Sequence, residues 1–489
     1  MSPHLLEFLT VGLGLVLLMA EAFVPLRDKR AIAWAGVAGL AVVFVMLVLA
    51  QPGRLPAESV APFYTADPLA MFFKGFLLVA TMLVLAMAAG FRPVLAEGIN
   101  GTSGSQGGLG EYYCLPVFAC AGLMWTVSAQ DLIFLFVALE LVTVSFYVLV
   151  AAMRRNAGSL EAGVKYLILG ALSTGLLVYG LAWVLGTTGL SSLPALAGKM
   201  AGWTDRPEPL LFGVVLVVAS LAFKIGVVPF QVWIPDVYQG APTPTTAYLS
   251  VASKATGVVV LIRFLDPFLG NPVLAAKLVP LLSVLACATL LVGNFAALAQ
   301  RNFKRLLAYS SIAHAGFLLM GVIAQDTAGV GFYLAAYLLM TMSAFQVLAV
   351  VRVAAGTDDL TGFDGLGRKA PFAAFALLAS MASLAGVPLT AGFLGKFWMF
   401  LDAVQGKHWV LVGVAAAGAA AGFYYYFKVI KHMYWHGPAD DEPVRAGRAA
   451  TLILAVLTAA ILVLGVYPRP VMRWLVPQPA ALAAPADAE

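Results

Sequence analysis

The sequence predicts an all-α polytopic membrane protein with about 14 transmembrane helices. Of its 489 residues, 62% are hydrophobic and 11% are charged, whereas a soluble protein carries about a quarter charged residues. The mean hydropathy is +0.93. The apolar residues are grouped in segments of roughly 20 residues, which is the length that crosses a bilayer as a helix. These observations exclude a soluble protein, and the net charge of +5 gives no indication of a nucleic-acid partner.

The predicted spans follow the apolar segments in chain order. They cover residues 4–25, 31–50, 68–90, 111–127, 131–152, 160–187, 209–231, 242–265, 274–298, 305–325, 329–355, 371–401, 408–435 and 449–468. The first span contains Glu21 and has no small-residue cleavage site, so it predicts a retained helix and not a signal peptide. The three cysteines lie in apolar segments without CxxC spacing, which is typical of small buried residues.

The lysines and arginines outside the spans predict the orientation of the chain. With the N-terminus outside, about 15 of them fall in the inner loops and about 8 in the outer loops and the C-terminal tail. Because cytoplasmic loops of membrane proteins are enriched in Lys and Arg, we expect both termini in the periplasm.

Composition and motif spacing divide the chain into units. Residues 97–110 are rich in Gly and Ser and predict a flexible linker after three N-terminal helices in residues 1–96. Two later segments, 222–236 and 383–400, each combine Gly, Pro and Lys inside a long apolar span.

Broken helices at matching positions are typical of inverted repeats with an ion site between them. We therefore predict one five-helix repeat over residues 111–265 and a second over 274–435. The last span and a tail follow at 449–489.

Charged residues inside the predicted spans are the strongest indication of function. A charge at the centre of a bilayer costs at least about 2.5–3.5 kcal/mol. Glu140, Lys224 and Lys254 lie too deep for their side chains to reach the membrane surface, so we expect them to be functional. Lys74 and Lys428 lie nearer to span ends, and we expect their long stems to carry the charge to the interface.

An acid beside a buried amine can form a switchable proton site. Burial disfavours the charged form of an amine and a nearby carboxylate favours it. Glu140 beside Lys224 would therefore hold a proton while the pair is intact and release it when the pair separates. Pro229 removes a backbone donor, and the carbonyls that it frees need partners inside the protein or in a hydrated cavity. Gly226 and Pro229 thus predict a helix break beside Lys224, and Pro388 predicts a second one.

Other polar residues are candidates for a proton relay. Lys165 lies about one turn inside its predicted helix, and His314 can titrate near neutral pH, although it could equally be a hydrogen-bonded core residue. The aromatic run 422–435 predicts an interfacial belt, with no chemistry for its tyrosines. No P-loop, dinucleotide-binding, haem or iron–sulfur motif is present, so we expect no cofactor or metal in this chain.

Three stretches resemble a known family over most of the chain. They are "FVALELVTVSFYVLVA", "FKIGVVPFQVWIPDVYQGAPTPTTAYLSVASKA" and "RLLAYSSIAHAGF", and they resemble the antiporter-like membrane subunits of respiratory complex I, the NADH:quinone oxidoreductase. The stretches "SVASKATG" and "SSIAHAGF" are most similar to subunit N. The resemblance implies a 14-helix fold with two inverted five-helix repeats and a role in proton translocation.

The resemblance also implies roles for individual residues. Glu140 and Lys224 would be the ion pair of the cytoplasmic half-channel, Lys254 the central connector, and Lys396 the lysine of the half-channel that leads to the periplasm. NADH, FMN, iron–sulfur clusters and quinone would be bound by partner subunits, with subunits M, K and J as neighbours in the bacterial inner membrane. The alternative is a subunit of an Mrp-type cation/proton antiporter or of a membrane-bound hydrogenase, which share the same acid–lysine arrangement.

Overall fold

The computed structural model describes residues 4–50, 63–203, 206–437 and 443–476, and within them the protein is almost entirely helical with no β-strand. Twelve helices in this part of the chain are long and apolar enough to cross a membrane. The predicted class, an all-α polytopic membrane protein, is therefore confirmed. The tail from residue 477 onward lies outside the described residues.

The N-terminal group contains three long helices and one short one. They are α1 (Leu5–Phe23), α2 (Arg30–Leu49), α3 (Pro68–Gly90) and α4 (Arg92–Asn100). Asp67 begins α3 by accepting a hydrogen bond from the Ala70 backbone N–H, as an N-cap carboxylate does. The turn-rich linker is shorter than its composition predicts, because α4 continues through Asn100 and turns occupy residues 101–108.

The next group contains the first of the two broken helices. Its members are α5 (Leu109–Val127), α6 (Leu132–Val150), α7 (Ala157–Thr188), α8 (Leu193–Ala201), α9 (Glu208–Ile225), α10 (Ile234–Gly240), α11 (Thr243–Tyr248) and α12 (Lys254–Leu269). A 3₁₀ turn precedes α10, and a π-helical turn over 249–253 joins α11 to α12. Such π-helical turns are frequent at functional sites, and this one ends directly at Lys254.

The last group contains the second broken helix. Its members are α13 (Pro272–Leu298), α14 (Phe303–Ile323), α15 (Thr327–Ala355), α16 (Leu366–Lys369), α17 (Pro371–Ala385), α18 (Ala391–Gln405), α19 (Trp409–Trp435), α20 (Arg448–Val466) and α21 (Arg469–Leu475). The helices α14 and α15 are almost completely surrounded by other helices, whereas α1 and α20 are mostly exposed. A helix that is apolar all round belongs in the protein core, so α14 and α15 form the centre of the helix bundle.

The two breaks have the same local geometry. Gly226 ends α9 with φ +90° and Gly386 ends α17 with φ +91°, a left-handed conformation that glycine adopts without a steric cost. In each case the backbone N–H of the following valine returns to the alanine carbonyl five residues earlier, at 2.8 Å after α9 and 2.9 Å after α17. This is the hydrogen bond of a Schellman cap, and it stops both helices inside long apolar segments.

Candidate functional site

The Lys224 side chain lies at the end of α9 and contacts the polar face of α6. Its Nζ donates a hydrogen bond to the Thr143 hydroxyl at 2.8 Å. Glu140 lies three residues earlier on α6, so its side chain is on the same side of the helix. The Glu140 carboxylate accepts a 2.8 Å hydrogen bond from the Thr174 hydroxyl of α7. Each member of the predicted acid–lysine pair is therefore hydrogen-bonded to a threonine.

Glu140 and Lys224 do not contact each other directly. Among the described residues no Glu140–Lys224 atom pair comes within the 4.0 Å of an ion pair, and Thr143 occupies the position beside the amine. The direct ion pair that the resemblance implies is therefore absent in this conformation. The Thr143 hydroxyl accepts from the amine and donates its one hydrogen to the Leu139 carbonyl at 2.7 Å, so it is not bonded to the acid.

Backbone polar groups at the break after Lys224 are hydrogen-bonded to other protein groups. The Trp233 indole N–H donates to the Phe223 carbonyl at 2.9 Å, and the Val228 backbone N–H donates to the Thr289 hydroxyl of α13 at 3.0 Å. A methyl group built on Gly226 would lie 2.2 Å from the Ile234 side chain. Glycine is thus favoured at this position by its φ angle of +90°, and a larger residue would also have to displace the end of the Ile234 side chain.

Lys254 lies at the centre of the bundle and is bonded to α14. Its side chain is 1% exposed, and its Nζ donates to the backbone carbonyl and the hydroxyl of Ser311. The Tyr238 hydroxyl of α10 also lies 3.3 Å from that serine hydroxyl. Lys254 Nζ is 5.7 Å from the centre of the Tyr337 ring, a distance at which a cation is attracted to an aromatic face.

His314 occupies the same helix one turn beyond Ser311 and is 2% exposed. Its Nδ1 is hydrogen-bonded to the Tyr333 hydroxyl of α15, and its Nε2 lies 3.0 Å from the Tyr426 hydroxyl of α19. Tyr426 also bonds Ser310. The prediction of an interfacial aromatic belt is therefore wrong for this tyrosine, because one face of α19 is turned inward.

Lys396 lies in α18, just beyond the second break, and is 7% exposed. Its Nζ donates to the Leu384 and Ala385 carbonyls at 2.7 and 3.2 Å, so the amine caps the end of α17. These carbonyls have no partner within the helix because the helix stops there. A Cβ on Gly386 would lie 3.3 Å from the aliphatic part of the Lys396 side chain. The glycine therefore leaves room for the lysine.

The structure brings three of the predicted residues, Lys254, His314 and Lys396, into one buried zone. On α14, Ser311 bonds the Lys254 amine, and His314, one turn further on, bonds Tyr333. Tyr333 packs against Gly395, the residue next to Lys396. Lys224 contacts this zone through packing alone. Its Cβ lies 3.7 Å from where a Cβ on Gly257 would be, and Gly257 lies one turn after Lys254 on α12.

Lys165 lies apart from this zone, at a polar cleft of about 520 Å³. Its Nζ forms ion pairs with Glu161 at 2.8 Å and with Asp236 at 2.7 Å, and its side chain is 41% exposed. The Asp236 carboxylate also forms an ion pair with the Arg305 guanidinium at 2.8 Å. The loops that line this cleft belong to the predicted cytoplasmic face, since they join spans on the side rich in arginine. Lys304, another residue of the cleft, is almost fully buried and lies 3.3 Å from Asp358.

A fully buried ion pair in the N-terminal helix group was not predicted from the sequence. Lys74 and Glu7 are both 0% exposed, and Lys74 Nζ lies 2.8 Å from a Glu7 carboxylate oxygen. The Tyr64 hydroxyl donates to the same carboxylate at 2.9 Å. The expectation that Lys74 extends to the membrane interface is therefore wrong, because its amine is fully buried beside Glu7 inside the N-terminal helix group. Two opposite charges near the same predicted membrane face, in the first and third predicted spans, were the available signal.

Comparison with known proteins gives the family. The model of the NADH:quinone oxidoreductase/Mrp antiporter transmembrane family matches residues 129–421. The chain belongs to this family. Its matched region contains both broken helices and every charged residue of the buried zone.

Similar family members are known by sequence and by structure. The chain is 38% identical to NADH-quinone oxidoreductase subunit N of Moorella thermoacetica, over 96% of this chain and 97% of that protein. A chain of respiratory complex I from Thermus thermophilus has a TM-score of 0.81 and 28% identity, with 96% and 98% of the two chains covered. A chain of the Mrp complex from Dietzia has a TM-score of 0.82 at 20% identity, with 96% of each chain covered, which shows a shared fold.

Proposed function

We propose that the chain is the N-type proton-translocating subunit of an NADH:quinone oxidoreductase, with electron transfer carried out by partner subunits. One observation carries this proposal: buried lysines on both broken-helix units lie along a polar line through α14. Lys254 is bonded to Ser311, and His314, one turn further along α14, is bonded to Tyr333, which packs against Gly395 beside Lys396. Amine, hydroxyl and imidazole groups can all pass protons along hydrogen bonds.

The polar cleft supports a direction for the proton path. It opens at the face that the arginine distribution predicts to be cytoplasmic, and it contains Lys165 and Asp236. Asp236 belongs to α10, the segment directly after the first break. We propose that protons enter there, pass Lys224 and Lys254, and leave toward the periplasm at Lys396.

The same arrangement supports 14 spans and two inverted five-helix repeats. The helix α5 and the broken pair α17–α18 supply the two spans beyond the twelve long apolar helices. The matched caps at Gly226 and Gly386 favour a common origin of the two breaks. Both termini then lie in the periplasm of a bacterial inner membrane.

The exposed face of α6 supports a partner beside Glu140. Val137, Leu141 and Val144 are exposed on this helix, and the Glu140 side chain lies at the edge of that face, only partly buried. A carboxylate at such an edge is costly against lipid. We propose that a neighbouring membrane subunit covers it, with subunits M, K and J as candidates.

An Mrp-type antiporter subunit or a hydrogenase membrane subunit is the second candidate. The fold favours it as much as the first, given the TM-score of 0.82 with the Mrp chain. Sequence favours subunit N, because relatives with that name are 35–41% identical to the chain over nearly its whole length.

The test is proton pumping by the assembled complex in proteoliposomes. Lys224→Ala should lower pumping, and NADH–quinone turnover should fall with it if the two are tightly coupled. Lys277→Ala changes an exposed lysine of α13 and serves as the matched control. Normal pumping by an assembled Lys224→Ala complex would remove the proposed role. Sodium-dependent proton movement without NADH oxidation would favour the Mrp alternative.

A further inference from the structure

A cluster of two histidines and an aspartate lies outside the buried zone. His432 and His436 belong to the end of α19, and Asp364 lies in the loop before α16. His432 Nδ1 lies 2.5 Å and His436 Nδ1 3.1 Å from the same carboxylate oxygen of Asp364. All three candidate ligand atoms lie within 4.8 Å of one another.

We propose that Asp364, His432 and His436 bind a divalent ion of the zinc class. The i, i+4 spacing of the histidines places both imidazoles on one helix face, as in helical zinc sites. Zinc accepts imidazole nitrogen and carboxylate oxygen as ligands, while magnesium and calcium prefer oxygen alone. Two nitrogens and one oxygen leave a fourth tetrahedral position for water.

The distances in the cluster suit such an ion. Ligand atoms of a tetrahedral zinc ion with bonds of about 2.0–2.2 Å lie roughly 3.3 Å apart. The His432 and His436 nitrogens are 2.5 and 3.1 Å from the Asp364 oxygen. All three ligand atoms lie within 4.8 Å of one another, so small rotations of the imidazoles bring them to ligand separations. Their side chains are 15% and 39% exposed and that of Asp364 is 20% exposed, so an ion can enter from solvent.

The surroundings fix the aspartate in place before any ion binds. Phe363, the preceding residue, is fully buried, and its ring lies 4.7 Å from that of Phe303. The Gly365 backbone N–H, on the other side, donates to the His432 carbonyl at 3.2 Å. Both neighbours of Asp364 are thus held against α14 and α19, which lowers the entropic cost of bringing the ligands together.

The charge at the end of α19 adds a second argument. The C-terminal end of a helix carries about half a negative charge from its unpaired carbonyls. A cation is therefore favoured beside His432 and His436, which lie in and directly after the last turn. The ion would clamp α19 to the segment that leads into the broken pair α17–α18.

The experiment measures zinc in the purified complex after chelator treatment and dialysis against Zn²⁺. His432→Gln and Asp364→Asn should each lose one bound zinc per complex. His408→Gln changes a histidine at the opposite end of α19 and should lose none. Equal zinc content in all four proteins would overturn the proposal, and so would an equal loss in the His408→Gln control.

A second measurement keeps the test valid if the variants do not assemble. X-ray absorption at the zinc edge, recorded on wild-type complex loaded with zinc, should show a population of sites with imidazole nitrogen and oxygen ligands. A zinc shell made of sulfur alone, or no retained zinc, would contradict the assignment. This site is independent of proton pumping, so its failure would leave the proposed function unaffected.

Discussion

Neutralising Glu7 removes one partner of the fully enclosed ion pair between α1 and α3. In Glu7→Gln the shape of the side chain and an acceptor for Tyr64 are retained, but the Lys74 amine loses its counter-charge. Lys74→Met removes the other partner with a side chain of similar length. The double variant contains no buried charge at this position.

The magnitude follows from the geometry. At the observed separation of 2.8 Å, two unit charges attract each other by about 6 kcal/mol at an effective dielectric constant of 20. The cost of removing both charges from water is several kcal/mol per ion, so the net contribution of the pair is small. Losing one partner leaves this cost without its compensation, and each single variant should be destabilised by about 3–5 kcal/mol.

The assay is the heat-induced aggregation of the epitope-tagged chain within the detergent-solubilised complex. Each single variant should have an apparent Tm several degrees below that of wild type, and the double variant should recover most of the loss. Asp28→Asn is the matched control, since it breaks the exposed Asp28–Arg30 pair at 2.5 Å, which contributes at most about 1 kcal/mol. Additive effects of the two single changes would refute the reasoning.

Three further outcomes are expected. Gly226→Ala should destabilise the protein by about 1–3 kcal/mol, because a φ of +90° is strained for alanine. The control is Gly175→Ala, at a helical position with open space around it. It should be neutral or slightly stabilising in the same melting assay. Thr143→Val should lower proton pumping because Lys224 loses its hydroxyl partner, and Thr143→Ser should preserve it; equal pumping by the two would contradict a role of the hydroxyl. Lys396→Met should lower both the Tm and pumping, since two helix-end carbonyls lose their donor at a cost of about 1–3 kcal/mol, and an unchanged Tm would disprove the capping role.

Glu140 and Lys224 show how far the sequence alone can predict a site. Their depth inside apolar segments identified them as residues of interest, because a charge in a bilayer is too costly to be incidental. The hydrogen bond from Lys224 to the Thr143 hydroxyl was not predictable, since threonine is common in membrane helices and its partner is decided by how α6 and α9 pack. The same holds for Tyr426, whose contact with His314 depends on which face of α19 is turned inward.

By itself the sequence determined the fold class and the two helix breaks, because these depend on local composition: apolar length, glycine and proline. Only the tertiary structure decided which charged groups meet. Glu7 and Lys74 are separated by more than two helices' length of chain, and nothing local distinguishes an enclosed lysine from one that reaches the membrane surface. Side-chain contact between distant segments is set by helix packing, and that information is absent from any single stretch of residues.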